Sequence, residues 1–214
     1  RCIFNILINK PPQGQEQELK KKYKFSCQIF PEFNISNLVF AITSIGFDNF
    51  FEDSINDLSF LRLPKGRAEL VKNIPANILI DYAHNEHAFE IILSSIKKYF
   101  DSLVVVFGCG GDRDKTKRPK MLKEALKNST KVIFTSDNSR NETFEDIFED
   151  SKSGNKLDNV IAIEDRKEAI IYGSKIIGKN DCMVILGKGH ENTQEILGKV
   201  SHYSDHEVVD EIYR

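Results

Sequence analysis

The chain has 214 residues, of which 40% are hydrophobic and 29% charged, with a formal net charge of −2 at pH 7. That length makes one large domain, or one and a half ordinary ones, and buries a core without disulfide or metal staples. The missing basic excess argues against nucleic acid or an anionic membrane as partner, no apolar run is long enough to span a bilayer, and the first residues do not read as a signal peptide. Four scattered cysteines, Cys2, Cys27, Cys109 and Cys182, form no C-x-x-C pair and have no histidines at ligand spacing, so no zinc site is expected. Unpaired thiols of this kind suit a reducing cytoplasm, with Cys182 at the head of an apolar run reading as a core thiol.

Residues 1–64 are a heterogeneous lead-in. β-like runs at 2–9 and 24–30 flank a polar stretch containing Pro11, Pro12 and Gly14, the pattern of a hairpin with a long loop. The chain begins with Arg1 rather than Met and goes directly into the first of these runs, which suggests a piece of a longer protein. Ile35, Leu38, Val39, Ile42 and Ile45 recur at helical spacing and predict a helix from Asn34, stopped at Gly46. A short helix is predicted near 52–58, and Pro64-Lys65-Gly66 marks a boundary.

Beyond residue 65 strands and helices alternate. Short apolar runs rich in Val and Ile predict strands at 77–82, 102–107, 131–135, 159–163 and 182–186. Helices are predicted at 86–100, 116–128, 143–150 and 165–178, the first with Asn85 as N-cap and the last opened by Asp165 and Glu168, much like a capping box. Such alternation predicts an α/β fold, a doubly wound, mostly parallel sheet with right-handed crossovers.

Four of the five strands run into dense polar motifs. They are Asp81-Tyr82-Ala83-His84, Gly108-Cys109-Gly110-Gly111-Asp112-Arg113-Asp114, Ser136-Asp137-Asn138-Ser139-Arg140 and Gly187-Lys188-Gly189-His190-Glu191. Parallel strands would carry all four to one sheet edge, where open α/β sheets bind ligands. The glycine-rich turn after the second strand reads either as a tight connection or as an anion nest of free N–H groups. Arg113 reads either as a surface ion pair or as a guanidinium aimed at a carboxylate. The basic run Lys115, Lys117, Arg118, Lys120, Lys123 reads as a solvated helix face, and His84, His190 and His202 as hydrogen-bonded structural histidines in the first instance. No G-x-x-x-x-G-K-[ST] phosphate loop occurs, and Arg113 stands where a dinucleotide fingerprint needs its last glycine, which excludes a dehydrogenase-type NAD domain.

Taken in order, Gly66-Arg67-Ala68-Glu69, Asp81-Tyr82-Ala83-His84, the 107–115 segment, Lys117-Arg118-Pro119, Asp137-Asn138-Ser139-Arg140, Gly187-Lys188-Gly189-His190-Glu191 and Tyr203-Ser204-Asp205 resemble the Mur ligase family, within it the synthetases that add the third residue to the UDP-MurNAc peptide. Asn34-Ile35-Ser36-Asn37 resembles the end of that family's central domain, and the likeness covers nearly everything from about residue 30. The resemblance implies that 1–64 close the central ATP-binding domain and that 65–214 are a Rossmann-like C-terminal amino-acid-binding domain. It implies ATP-dependent amide formation through an acyl phosphate on UDP-MurNAc-L-Ala-D-Glu, with ATP and Mg2+ used by the full-length cytoplasmic enzyme together with its own N-terminal and central domains. Without the phosphate loop, this chain alone is expected to be inactive.

Residue by residue, the resemblance implies that Arg113 binds the carboxylate of the incoming diamino acid. Asp137, Asn138, Ser139 and Arg140 form the tetrapeptide that reads its far end, and Gly187 and Glu191 meet its distal ammonium. It implies adenine contacts at Asn34 and Asn37, and positions around the ATP ribose and phosphates at Arg67, Asp81, Tyr82 and His84. No catalytic residue and no metal ligand is assigned within the chain. Enzymes of this group selective for meso-diaminopimelate carry proline where Ser139 stands here; Arg140 remains, and an arginine suits the second carboxylate that diaminopimelate has and lysine or ornithine lacks. The alternative is a stand-alone, non-catalytic module that binds an amino acid or a nucleotide.

Overall fold

The computed structural model describes residues 2–9, 20–27, 29–45, 57–58 and 60–214. They fall into two compact units, Arg1–Leu63 and Pro64–Arg214. Among the described residues no helix is long and apolar enough to cross a membrane.

In the first unit β1 (Cys2–Asn9) and β2 (Lys20–Cys27) pair antiparallel, with Cys2 opposite Cys27 and Asn9 opposite Lys20. Pro11, Pro12 and Gly14 lie outside the described residues, as do Gly46 and most of the short helix expected near 52–58. The second strand runs over 20–27 and not the expected 24–30: Lys20, Lys21 and Lys22 fall in the polar stretch between the expected runs, yet the ladder to β1 holds them extended. Residues 57–58, expected at the end of a helix, form β3 (Asp57–Leu58) instead, parallel to Ser26 and Cys27 of β2. The helix α1 (Phe33–Ile45) follows its predicted periodicity and buries Ile42.

The second unit is built on a six-stranded sheet. Its strands are β4 (Glu69–Leu70), β5 (Asn77–Asp81), β6 (Leu103–Phe107), β7 (Lys131–Phe134), β8 (Val160–Ala162) and β9 (Cys182–Leu186), in the spatial order β4-β5-β9-β6-β7-β8. β4 is antiparallel to β5 and every other neighbour is parallel. β6 and β9 are continuous apolar runs and β5 has an apolar centre, Ile78 to Ile80, all buried on both faces of the sheet. Side chains alternate between those faces. Ile78, Ile80, Val104, Val106, Ile133, Met183 and Ile185 cluster with Ala169 and Ile170 of α5 (Arg166–Ile176) and with Val208 and Val209 of α6 (Asp205–Ile212). On the opposite face Phe107 packs edge-on between Phe89 of α2 (Glu86–Ile96) and Phe134, and Phe134 meets Phe148 of α4 (Phe144–Lys152). The second α-helix of the unit in chain order, α3 (Arg118–Asn128), buries Met121, Leu122 and Ala125. These are the two layers of a doubly wound Rossmann-like α/β fold.

The helix starts carry the expected chemistry. Asn85 accepts the Ala88 N–H at 2.9 Å, and Asp165 accepts the Glu168 N–H at 3.0 Å. α3 has Pro119 in its first turn and is preceded by a 3-10 turn over Lys115–Lys117. Three elements were not legible in advance. The short β4 has two residues, and α6 has a weak periodic signal over eight residues. The third is the hairpin of β10 (Thr193–Ile196) and β11 (Lys199–His202), which turns on Leu197 and Gly198 at φ 48° and 72°, the positive pair a tight two-residue hairpin needs.

Candidate functional site

Parallel pairing places Asp81 opposite Leu186, and Phe107 opposite Phe134, so β5, β9, β6 and β7 end at one edge. Their following loops enclose a cavity of about 430 Å³. Tyr82, His84, Arg113, Asp137, Asn138, Arg140, Gly187 and Glu191 all line it, so motifs more than 100 residues apart converge as the strand order requires. Asp81, Ser139 and Arg67 are not among its lining residues.

The loop after β6 is glycine-rich because two loops touch there. A Cβ on Gly108 would stand 2.2 Å from the Thr135 carbonyl oxygen, and one on Gly111 1.9 Å from that of Ser139. The Gly111 N–H donates to the Asn138 carbonyl at 2.9 Å and the Asp112 N–H to Glu142 at 2.6 Å. Those donors are spent inside the protein, so the loop's glycines serve close packing rather than an open anion nest at these two positions. Arg113 stands exposed at the cavity and has no ion pair among the described residues. Its guanidinium is available to an anion.

Arg118 corrects the reading of the basic run as a solvated face. It is 2% exposed, bonds both Glu142 oxygens at 2.7 and 2.9 Å and Asp150 at 2.6 Å, and donates to the Gly110 carbonyl at 3.1 Å. A guanidinium so placed ties the glycine loop to the start of α4. The same Arg118 hydrogen bonds hold the Glu142 carboxyl well below the usual range.

Across the cavity, Asp137 caps its own loop by accepting the Asn138 N–H at 2.7 Å. Gly187, at φ 112°, lets the next loop approach: a Cβ there would come 2.5 Å from Asp137 Oδ2. Asn138 gives its amide N–H to Glu191 Oε2 at 3.1 Å and accepts the Lys188 ammonium at 2.9 Å and the Glu195 N–H at 3.0 Å. Ser139 is buried. Arg140, at φ 49°, donates Nη1 to the carbonyls of Gly111 at 2.8 Å and Asn138 at 3.3 Å, while Nε lies 3.8 Å from Glu195. The 137–140 tetrapeptide is thus braced by the 193–202 hairpin, and sequence reading missed Lys188, Gln194 and Glu195, whose partners, the Asn138 amide oxygen and the Asp137 carbonyl, lie 50 to 57 residues away.

At the other end of the cavity the Tyr82 ring is a platform. The Arg67 guanidinium lies 4.6 Å from its centroid, and the rings of His84 and His190 lie 5.0 and 5.4 Å away. His84 is also tied to the Tyr82 carbonyl at 3.0 Å. Asp81 is buried beneath, accepting the N–H groups of Ala68 and Ala83, each at 2.6 Å. Burial pushes its carboxyl up against the pull of those two bonds. Asp81 therefore shapes the Arg67–Ala68 turn, and Arg67, Tyr82 and His84 are the groups presented outward. Gly66 carries that turn, at φ 67°, onto the Gly189–His190 backbone, where a Cβ would meet Gly189 C at 2.3 Å. In the first unit, Asn37 donates its amide to Asn34 Oδ1 at 3.2 Å; Asn34 is buried and Asn37 exposed.

Among the described residues no group of three or more His, Cys, Asp or Glu side chains is arranged to hold a metal ion. Among the described residues the arrangement offers a free guanidinium, a carboxylate with an unused oxygen and an aromatic–cationic platform, groups suited to binding and positioning a charged ligand.

A family model described as "Mur ligase, glutamate ligase domain" matches residues 66–189. The UDP-N-acetylmuramoyl-L-alanyl-D-glutamate--2,6-diaminopimelate ligase of Rickettsia montanensis is 41% identical over 193 residues, covering 88% of this chain and 40% of the relative. The protein of the same name from Clostridium perfringens is 41% identical over 194 residues, with the same coverage. A solved structure with that enzyme name superposes with a TM-score of 0.70 at 35% identity, over 89% of this chain and 40% of the other. A pseudomurein peptide ligase type C from Methanothermus fervidus, 23% identical with a TM-score of 0.61 over 90% of this chain and 38% of that one, shares the fold. The chain spans about 40% of the length of these relatives. With the family's model matched over more than half the chain, and its motifs gathered in order on one sheet edge, this chain belongs to the Mur ligase family.

Proposed function

We propose that this chain is the C-terminal portion of an ATP-dependent ligase that adds meso-diaminopimelate to UDP-MurNAc-L-Ala-D-Glu in peptidoglycan synthesis. In this reading residues 65–214 are the amino-acid-binding domain, and 1–64 the end of the central ATP-binding domain. The names of relatives at 37–42% identity support the substrate. The observation that carries the reading is the cavity, where the unpaired Arg113 guanidinium and the half-used Glu191 carboxylate face one space about 430 Å³ in size. A diamino acid has a carboxylate for the first and a distal ammonium for the second. Arg140 would stand by the second carboxylate, and Arg67, Tyr82 and His84 by the nucleotide. Asn34 and Asn37 would meet adenine.

The reaction would proceed by phosphorylation of the dipeptide carboxylate and attack of the amine on the acyl phosphate, with phosphate leaving. This chain's residues would hold the amine in line and keep its ends paired, which is catalysis by orientation. ATP and Mg2+ belong to the full-length protein in this reading, and no step is assigned to a metal held by these residues. Its place would be the cytoplasm, where the nucleotide substrates are.

The test is release of ADP by the full-length protein supplied with UDP-MurNAc-L-Ala-D-Glu, ATP, Mg2+ and either meso-diaminopimelate, lysine or ornithine. Turnover is expected with diaminopimelate; preference for lysine or ornithine would overturn the substrate. The 214-residue chain alone, which has no G-x-x-x-x-G-K-[ST] loop, is expected to show no ATP hydrolysis. Ligand binding by a full-length protein that never turns over would favour a non-catalytic binding module.

A further inference from the structure

We propose that Lys188 is a positioning residue of the amino-acid pocket: its buried ammonium fixes the Asn138 amide and the Glu191 carboxylate so that one Glu191 oxygen stays free for a ligand ammonium. The proposal rests on the diamino-acid reading of the cavity.

The Lys188 side chain is 0% exposed. A buried ammonium is costly unless each N–H is satisfied, so its partners are informative. Two hydrogen bonds are short, to Asn138 Oδ1 at 2.9 Å and to the Thr193 carbonyl at 2.9 Å. The remaining side faces two carboxylates, Glu191 Oε2 at 3.4 Å and Asp137 Oδ1 at 3.5 Å. The Tyr203 ring, its centroid 5.9 Å from Nζ, lies beside the same ammonium.

The consequence runs through Asn138. Its Oδ1 receives both the Lys188 ammonium and the Glu195 N–H at 3.0 Å. Two donors on one oxygen decide which way the amide faces, because the flipped amide would set N–H against N–H. The amide nitrogen must then point to Glu191, where it donates to Oε2 at 3.1 Å. Lys188 and Asn138 together occupy Oε2, and among the described residues Oε1 has no partner. Glu191 lines the cavity, so its free oxygen is presented there. Without the Lys188 ammonium only the Glu195 N–H is left to hold the amide in this orientation, and Asp137 Oδ1 and Glu191 Oε2 lose the cation they share.

A merely structural lysine would lower stability without singling out one substrate. A positioning lysine raises the KM for the amino acid and acts only while Glu191 is intact. In the full-length protein, Lys188→Met is expected to raise the KM for diaminopimelate by about 10–100-fold, with kcat and the KM for ATP within about 3-fold of the parent. Lys188→Gln keeps a donor for Asn138 Oδ1 and should fall between; it carries the comparison if the Met variant melts below the assay temperature. In a Glu191→Gln background the Lys188 substitution should add less than about 2-fold, since its target is already lost. A folded Lys188 variant with unchanged diaminopimelate KM overturns the proposal, as do effects that simply multiply in the double variant. If the parent protein does not use any diamino acid, the reading of the cavity fails and the proposal with it. A parent active on diaminopimelate with indifferent Lys188 variants overturns the proposal alone.

Discussion

Arg166 and Asp205 form a two-pronged ion pair, Nε to Oδ1 at 2.8 Å and Nη2 to Oδ2 at 2.9 Å, with neither side chain exposed. Arg166 also donates to the Leu186 carbonyl at 2.9 Å, the last residue of β9 before the Gly187 loop, and Tyr203 donates its hydroxyl to Asp205 at 3.1 Å. Burial alone would lower the Arg166 pKa; the Asp205 charge overrides it and holds the guanidinium charged. This pair fastens α5 and α6 to the strand end that carries Gly187 and Glu191 of the candidate site. Asp205→Ala leaves a buried guanidinium unpaired and is expected to cost about 3–5 kcal/mol. Urea unfolding of the 214-residue chain reads this directly, and a loss below about 1 kcal/mol would contradict the account.

Gly111→Ala tests loop-against-loop packing. Its Cβ would sit 1.9 Å from the Ser139 carbonyl, a backbone atom that cannot swing away. The expected cost is about 1–3 kcal/mol, with a raised KM for the amino acid because Arg140 leans on the same Gly111 carbonyl. Gly154→Ala has nothing within 4 Å to meet, so it isolates the backbone cost of a positive φ from the packing cost. Equal stability losses for the two variants would refute the packing argument.

The Arg118–Glu142 pair predicts an acid-labile contribution. Glu142 has a folded pKa held well below its unfolded value, first by the Arg118 hydrogen bond. Its stabilisation is therefore present above the unfolded pKa of about 4.3 and is lost as pH falls from there towards the folded value. Glu142→Gln should cost about 1.5–3 kcal/mol at neutral pH. That difference from the parent should shrink steadily below pH ~4. A difference that stays constant down to pH ~2 would show that Glu142 acts by shape rather than charge.

Cys109 and Cys182 are buried, and burial pushes each thiol up to about 12. Both should stay neutral, and therefore unreactive, at pH 8. Ellman's reagent on the native chain is expected to leave these two unmodified and to label them at once in denaturant. Fast native labelling at either position, located by peptide mapping, would disprove the burial.

Ser139→Pro introduces the proline that the resemblance implies for diaminopimelate-selective enzymes of the family. Among the described residues the Ser139 N–H makes no hydrogen bond, so proline removes none. The substitution is expected to leave the amino-acid preference unchanged, whereas Arg140→Ala should lower the preference for diaminopimelate over lysine by at least about 10-fold, the scale of one charged hydrogen bond. Competition assays on the full-length protein compare the two, and an unchanged ratio in Arg140→Ala would remove that residue from the selectivity account.

The sequence by itself determined the second unit's plan. Apolar runs of five or six residues, all but the last followed by a helical period, stack as parallel strands with helices on both faces, so Tyr82, Arg113, Asp137 and Glu191 meet at one edge. Only the tertiary structure decided what lies behind that edge. Lys188 and Arg118 look alike in sequence to the solvated lysines and arginines around them. They are buried because Asn138, 50 residues from Lys188, and Glu142, 24 from Arg118, bring oxygens to them across folded loops. The same holds for Gly108 and Gly111, whose need for a bare backbone comes from the carbonyls of Thr135 and Ser139. Periodicity reports the solvent and core faces of an element, which are local properties. Pairing of buried charges and contact between loops depend on groups far apart in the chain, and their positions exist only once the sheet has set the distance between strand ends.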